Sequence, residues 1–387
     1  MEFEPFGQQL GVPAVIMRSG TSKGIYLNEA DLPPAGEERD KLIMRIFGSP
    51  DPRQIDGLGG ADILTSKLAI VGKCDRDDAD ITYTFGQVVI DRPLIQYAGL
   101  CGNISAGVAP FAIDEGMVEA VEPATKVRVW NTNTQQIFEI TVPVVDGHAA
   151  VYGDFAIDGV NGTGAKLDIN MAKTMGSYTG KLLPTGNASD KIEVNGKTYE
   201  VSIVDVVNPC VFVKASELGL TGVEAPPDMA EHEDALDAME AIRKTVAGMI
   251  GFSTKQEDLD ADARPMAIFV APPQDYKNYL SGEPIAADES DFAARCFMFS
   301  GKTRDMHQAF PGSISVAVGA ACRIPGTVVN QVSTSKGLAG VVRVGHPLGK
   351  VEVEAEVAED GELLVASYSR TARRIMKGIA YVPDNTI

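Results

Sequence analysis

An internal repeat constrains the fold of this chain more than any other feature. The segment "GLCGNISAGVAPFAIDEG" at residues 99–116 is echoed by "FPGSISVAVGAACRIPG" at residues 310–326. Setting Cys101 on Pro311 places Gly102 on Gly312, Ser105 on Ser315 and Gly116 on Gly326, so the paired glycines are 14 positions apart in both copies. Both segments are apolar nearly all round. A helix of that composition is enclosed on every side rather than laid on a surface. The expected fold class is therefore α+β, with two pseudo-symmetric domains, each a strand-rich shell around a buried central helix. A pseudo-twofold between such halves would bring both helix starts to a shared cleft, where free N–H groups and the positive dipole end favour an anion.

Short β-branched runs supply the shells. "PAVIMRSG", "KLAIVGKC", "DITYTFGQVVID", "KVRVWNTNTQQIFEITVPVV" and "AAVYGDFAID" read as strands or hairpins in the first half. "GEERDKLIMRIFG" reads as a helix ending at Gly48, and Pro110 is expected to kink the helix that follows Cys101. The second half reads as strands from "DKIEVNGKTYEVSIVDVVNPCVFV", with a hairpin turn at Asn195-Gly196. Helices are expected over about 228–250 and about 288–299, with "STKQEDLDADARP" as a solvated loop. The pattern places the domains at 1–183 and 184–370, with a strand over about 371–387 returning to the first.

Bulk properties narrow the function. A chain of 387 residues with 44% hydrophobic content buries a sizeable core. No apolar run approaches the 18 residues of a membrane span, and the acidic, proline-bearing start is unlike a signal peptide, so no membrane partner and a cytoplasmic location are expected. Five widely spaced cysteines without a CxxC argue against both a disulfide framework and a structural zinc site. The formal charge of -19, with no basic stripe, argues against nucleic acid. A homodimer is compatible with the sequence, which does not fix the assembly.

Few residues have the chemistry and setting of a site. Cys101 precedes Gly102-Asn103, with Asn103 a plausible N-cap, which puts the thiol at a helix start, the setting that stabilises a thiolate. Cys322 lies inside the second apolar helix and reads as packing. Lys67 follows the glycine-rich "DGLGGAD" and opens the apolar strand "LAIV"; a lysine desolvated there can serve as a base. Thr21 and Ser22, between flexible glycines, have the ingredients of a carboxylate-binding turn. "TSKG" is not a phosphate loop, because the serine precedes the lysine. His307 and His346 are candidate carboxylate ligands. The four histidines show no metal-ligand spacing.

Together the stretches "RSGTSKG", "GSPDPRQIDGLGGADILTSK", "FGQVVIDRPLIQYAGLCGN", "GDFAIDGV", "LLPTGN", "IPGTVVN", "GHPLGKV" and "SRTAR" resemble the 2-methylaconitate cis-trans isomerase family of the methylcitrate pathway of propionate catabolism. The resemblance covers almost the whole chain and implies the diaminopimelate epimerase fold. It sets the family's catalytic lysine on Lys67, its cysteine on Cys101 and its first-loop serine on Ser22. Two positions depart from the family pattern, Ser19 and Pro311, and either is compatible with acceptance of a different acid.

Epimerases of this fold place a cysteine at each helix start. Here the second position is Pro311, which has no acid or base, so two-thiol racemisation is disfavoured. The expected activity is a cofactor-independent allylic proton shift or cis-trans isomerisation of an unsaturated di- or tricarboxylate such as 2-methylaconitate, without metal. Lys67 and Cys101 would be catalytic, with roles that could be exchanged. Carboxylates would be held by Thr21, Ser22, Gly102, Asn103, His307, Gly312, Ser313 and His346. The alternatives are a 4-oxalomesaconate-type tautomerase and a carboxylate-binding accessory protein without turnover.

Overall fold

The structure, a computed structural model, describes residues 4–97, 100–157, 159–300 and 303–386. The chain divides into two compact units, Met1–Ile169 with Ser369–Ile387, and Asn170–Tyr368. The break thus precedes the residue-183 expectation by a short stretch. Residues 170–183 hold one 3-10 turn, Ala172–Thr174, and no strand beyond Asn170, so they lack the pattern that marks a boundary.

In unit 1 the strand Gln9–Ser19 runs antiparallel to Ser22–Asn28 on one side and to Ala372–Pro383 on the other. Helix α1, Glu37–Phe47, follows, and the strand Lys67–Lys73 then lies parallel to Ser22–Asn28. The strand Ile81–Val88 returns antiparallel to it. Two short helices follow, α2, Gly102–Ser105, and α3, Val108–Asp114. Next, Ala124–Asn131 pairs parallel to Ile81–Val88, with its antiparallel partner Gln136–Val145. α1 buries Leu42, Ile43, Ile46 and Phe47 as one stripe, carries Glu37, Glu38 and Asp40 in its first turn to complement the dipole, and stops at Gly48 in the left-handed conformation (φ 79°).

Unit 2 repeats the series. The hairpin Asp190–Val194 and Lys197–Val206 turns at Asn195 and Gly196, both at positive φ, which is why that dipeptide serves there. Asn208–Lys214 is antiparallel to Lys197–Val206, then come α4, Glu233–Met249, and α5, Gln256–Ala261. Met266–Ala271 pairs parallel to Asn208–Lys214, and Phe292–Ser300 pairs antiparallel to Met266–Ala271. α6, Gly312–Arg323, and α7, Val328–Val332, precede Ala339–His346, which is parallel to Phe292–Ser300 and antiparallel to Gly349–Val357. In α6 every residue from Ile314 to Arg323 is buried. In unit 1 all of α3 except Asp114 is buried, as are Ile104 and Ser105 of α2. Among the described residues no helix is long and apolar enough to cross a membrane.

Four local expectations are corrected. The expected helix over 288–299 is the strand Phe292–Ser300, flanked on both sides by strands, whose side chains are buried on both faces, so that alternation is lost. The acidic loop contains α5. Of "AAVYGDFAID", Ala149 belongs to the two-residue strand His148–Ala149 and Phe155 forms an isolated bridge to Gly164, and its other described residues are irregular. The helix after Cys101 does not kink at Pro110 but breaks one turn earlier, at Ala106-Gly107. Pro110 stands in the first turn of α3, where its missing N–H costs nothing and its ring blocks the carbonyl four residues back from continuing the helix.

Candidate functional site

Lys67 opens its strand, and the loop before it is held by a buried glutamine. Gln54 Nε2 donates to Ser49 Oγ at 2.9 Å and to Ser66 Oγ at 2.8 Å, while Oε1 accepts the Ala61 N–H at 2.8 Å. Ser66 Oγ passes its own proton to Val88 O at 2.8 Å. A Cβ on Gly59 would lie 2.2 Å from Gln54 Oε1, so the glycine cluster is the close cover of this amide. The result is a fixed direction for the Lys67 side chain, which is 8% exposed.

Cys101, not Asn103, is the N-cap residue of α2. Its carbonyl accepts both the Ser105 N–H at 2.9 Å and Ser105 Oγ at 2.8 Å, which ties the backbone beneath the thiol. Lys67 Nζ lies 3.6 Å from Cys101 Sγ and 3.2 Å from Gln87 Oε1. The Phe85 ring centroid is 5.5 Å from Nζ. Gly24 allows this approach, since a Cβ there would be 2.9 Å from both Ile104 Cδ1 and Lys67 O. Among the described residues no carboxylate pairs with Nζ, so the ammonium would be compensated only by an amide oxygen, a sulfur and a π face.

The turn Ser19–Ser22 adjoins α2. Asn103 Nδ2 donates to Thr21 Oγ1 at 2.9 Å, and its Oδ1 accepts Arg370 Nε at 3.2 Å. Gly20 has φ +54°, and a Cβ on it would meet Asn103 Oδ1 at 2.2 Å. The Ser22 hydroxyl is buried and, among the described residues, has no hydrogen-bond partner. Ser19, compatible by sequence with acceptance of a different acid, is fully buried with its hydroxyl on Asn103 O at 2.5 Å. Tyr26 OH takes the next carbonyl, Ile104 O, at 2.7 Å. Ser19 therefore satisfies the carbonyls at the α2 break instead of meeting a ligand.

The remaining expected site residues belong to unit 2. Pro311 is the N-cap of α6, as Cys101 is of α2, and Gly312 and Ser313 form the first turn, whose N–H groups have no intrahelical acceptor. His307 is half-buried, its Nδ1 accepts the Ala309 N–H at 3.1 Å, and burial lowers its pKa. His346 lies at the end of a strand rather than in a turn, and it is 5% exposed. Burial, and secondarily the Arg295 charge, lower its pKa to about 4. It is thus held neutral and is no cation for a carboxylate.

The two units differ at the positions of Lys67 and Cys101. Lys67 heads its strand opposite Gln87; the corresponding strand of unit 2 is headed by Met266, and the pairing of Ala267 with Phe297 sets Met266 opposite Met298. The trio Lys67, Gln87 and Cys101 is matched by Met266, Met298 and Pro311. Three other cysteines are buried: Cys210, Cys296 and Cys322. Burial raises all three thiols, that of Cys296 to about 12. Cys322 touches Ser333 Oγ at 3.3 Å within the core. Two groups at the site were missed in the sequence. Gln87 stands in an ordinary strand pattern, and Arg370 lies far along the chain in "SRTAR", with no local signal joining it to Asn103. Among the described residues no cluster of His, Cys, Asp and Glu could hold a metal ion.

Residues 9–383 match the PrpF protein family. The chain belongs to that family. A 3-methylitaconate isomerase of Eubacterium barkeri is 48% identical to this PrpF chain over 97% of it and 98% of the relative. A 2-methyl-aconitate isomerase of Shewanella oneidensis is 38% identical over 98% of each. The crystal structure of a methylitaconate-delta-isomerase matches with TM-score 0.92 at 46% identity, covering 98% of this chain and 97% of that one. A hydroxyproline epimerase of Agrobacterium vitis, 12% identical and with TM-score 0.52 over 98% of this chain and 95% of its own, shares the fold alone. The PrpF chain has the diaminopimelate epimerase-like fold.

Proposed function

We propose that this protein is an isomerase that moves an allylic proton within an unsaturated di- or tricarboxylate, with Lys67 and Cys101 as its acid–base pair. The observation that carries the reading is the 3.6 Å approach of Lys67 Nζ to Cys101 Sγ in a setting without a carboxylate. An amine of that kind has a lone pair to offer once it sheds its proton. It takes a proton from the carbon next to a carboxylate, the electrons spread over the double bond and that carboxylate as a dienolate, and a proton returns at the far end of the allylic system. Either the Lys67 ammonium or the Cys101 thiol returns it. Rotation within the delocalised intermediate would give cis-trans exchange from the same first step.

Charge accumulates on the substrate carboxylate in that step, so donors aimed at it matter most. The Asn103 amide, two residues beyond Cys101, bonds Thr21 Oγ1 and Arg370 Nε, so a hydroxyl, an amide and a cation are gathered beside the start of α2, and the buried Ser22 hydroxyl follows Thr21 in the chain. In a protein of charge -19 such a local cation is what allows an anionic substrate to dock. The relative that is 48% identical makes 3-methylitaconate the first acid to test, ahead of 2-methylaconitate and 4-oxalomesaconate.

The test is proton NMR of the purified protein with each of the three acids. Migration of the double bond or cis-trans exchange in at least one is expected. Ligand line broadening with no change of any acid would favour the accessory reading instead.

A further inference from the structure

We infer that Gln87 is a positioning residue for the Lys67 amine, a neutral acceptor that aims Nζ at Cys101 without adding a counter-charge. The inference rests on the proposed role of Lys67 and deepens it. Gln87 cannot turn its amide round. Nε2 donates to Ser66 O at 2.8 Å and to Ile63 O at 3.3 Å, two carbonyls of the loop that leads into Lys67. The orientation is thereby fixed, and Oε1 is the atom left to face Nζ at 3.2 Å. The same side chain closes the loop and aims the amine, so the direction of Nζ and the path of the loop are set together.

The neutrality of Gln87 is the functional part. A carboxylate in its place would hold the ammonium, because an opposite charge within hydrogen-bond reach favours the charged form by one to three pH units. The charges around Lys67 do not supply that role. Its strand is packed by Ser22–Asn28, with Lys23 and Tyr26; by Ile81–Val88, with Tyr83; by the turn Glu29–Asp31; and by α2 and α3. Glu29 is engaged by Arg39 and Thr82, and Asp114 of α3 by Arg374. Asp62, in the preceding loop, accepts the Leu64 N–H, and Arg370 bonds to Asn103. Of these titratable groups and Cys101, the thiol is the one in contact with Nζ. Unit 2 carries Met298 at the position matching Gln87, where Met266 replaces the lysine and needs no acceptor.

The experiment compares Gln87→Glu and Gln87→Leu with the unsubstituted protein. The pH dependence of kcat/KM is measured beside a 13C NMR titration of ε-labelled lysine, the Lys67 signal being assigned by its absence in Lys67→Arg. In Gln87→Glu the acid limb and the Lys67 midpoint are expected to move together to higher pH by about one to two units. The rate lost near neutrality, on the order of 10- to 100-fold, should return at alkaline pH. In Gln87→Leu, which removes an acceptor from the ammonium, both should move to lower pH, with kcat falling more than KM rises. If Gln87→Glu fails to fold because its carboxylate faces Ser66 O, the Leu variant decides by itself. A folded variant in which neither limb nor midpoint moves overturns the inference. Should the Lys67 midpoint move as stated while none of the acids is isomerised by the unsubstituted protein, the positioning role stands and the proposed function falls.

Discussion

Arg370 is a cation beside Asn103, so Arg370→Gln is expected to raise KM by about 10- to 100-fold with a small effect on kcat, the loss of one charge-assisted hydrogen bond. Steady-state kinetics on the accepted acid decides this; an unchanged KM would exclude Arg370 from binding. Gly20 is constrained from two directions, by its φ of +54° and by Asn103 Oδ1 at 2.2 Å from any added Cβ. Gly20→Ala is expected to cost about 1–3 kcal/mol in a denaturant titration and to separate Asn103 from Thr21. At this scale the sequence was legible where chemistry announces itself. A cysteine before Gly-Asn and a lysine opening an apolar strand are unusual placements. Gln87 was not legible, because a glutamine in a strand has no distinctive pattern until its amide partners are known.

The break between α2 and α3 is the element that sets the thiol. Pro110 has no N–H to give to the Ala106 carbonyl four residues back, while the carbonyls of Asn103 and Ile104 accept the Ala106 and Gly107 N–H groups and, in addition, the hydroxyls of Ser19 and Tyr26. Gly107 makes room, since a Cβ there would lie 2.4 Å from Tyr26 OH. Gly107→Ala and Tyr26→Phe should each destabilise, the latter by about 1 kcal/mol for the loss of one buried hydrogen bond to Ile104 O, which keeps the Gly107 N–H. Because the hydroxyl is the nearest obstacle, the double variant should be less destabilised than the sum of the singles. Strict additivity in the unfolding free energies would show that the hydroxyl does not press on Gly107. The repeat made these helices legible, yet a break whose carbonyls are bonded by side chains 84 and 78 positions upstream has no trace in local periodicity. The strand Phe292–Ser300 was misread for a related reason: burial on both faces erases the alternation that identifies strands.

Across the whole molecule, the doubled architecture carries the proposed acid–base pair once. Unit 1 presents Lys67, Gln87 and Cys101, and unit 2 presents Met266, Met298 and Pro311 in their places. Unit 2 instead buries His346, with consequences for acid stability. Its folded pKa of about 4 lies below the ordinary value of 6.5, so the unfolded chain binds more protons between those values. The stabilisation is full above about pH 6.5 and is lost as pH falls through 4, amounting to about 3 kcal/mol. His346→Gln should therefore lose less stability than the unsubstituted protein between pH 7 and 4 in parallel denaturant titrations. Coincident pH profiles would contradict the assignment. The central claim concerns the other unit, and one measurement addresses it most directly: deuterium uptake from heavy water into 3-methylitaconate, followed by NMR with the unsubstituted protein and with Lys67→Ala. Exchange at the allylic position that accompanies double-bond migration, and falls by 10²-fold or more in the variant, is the predicted result. Undiminished exchange and turnover in Lys67→Ala would contradict it.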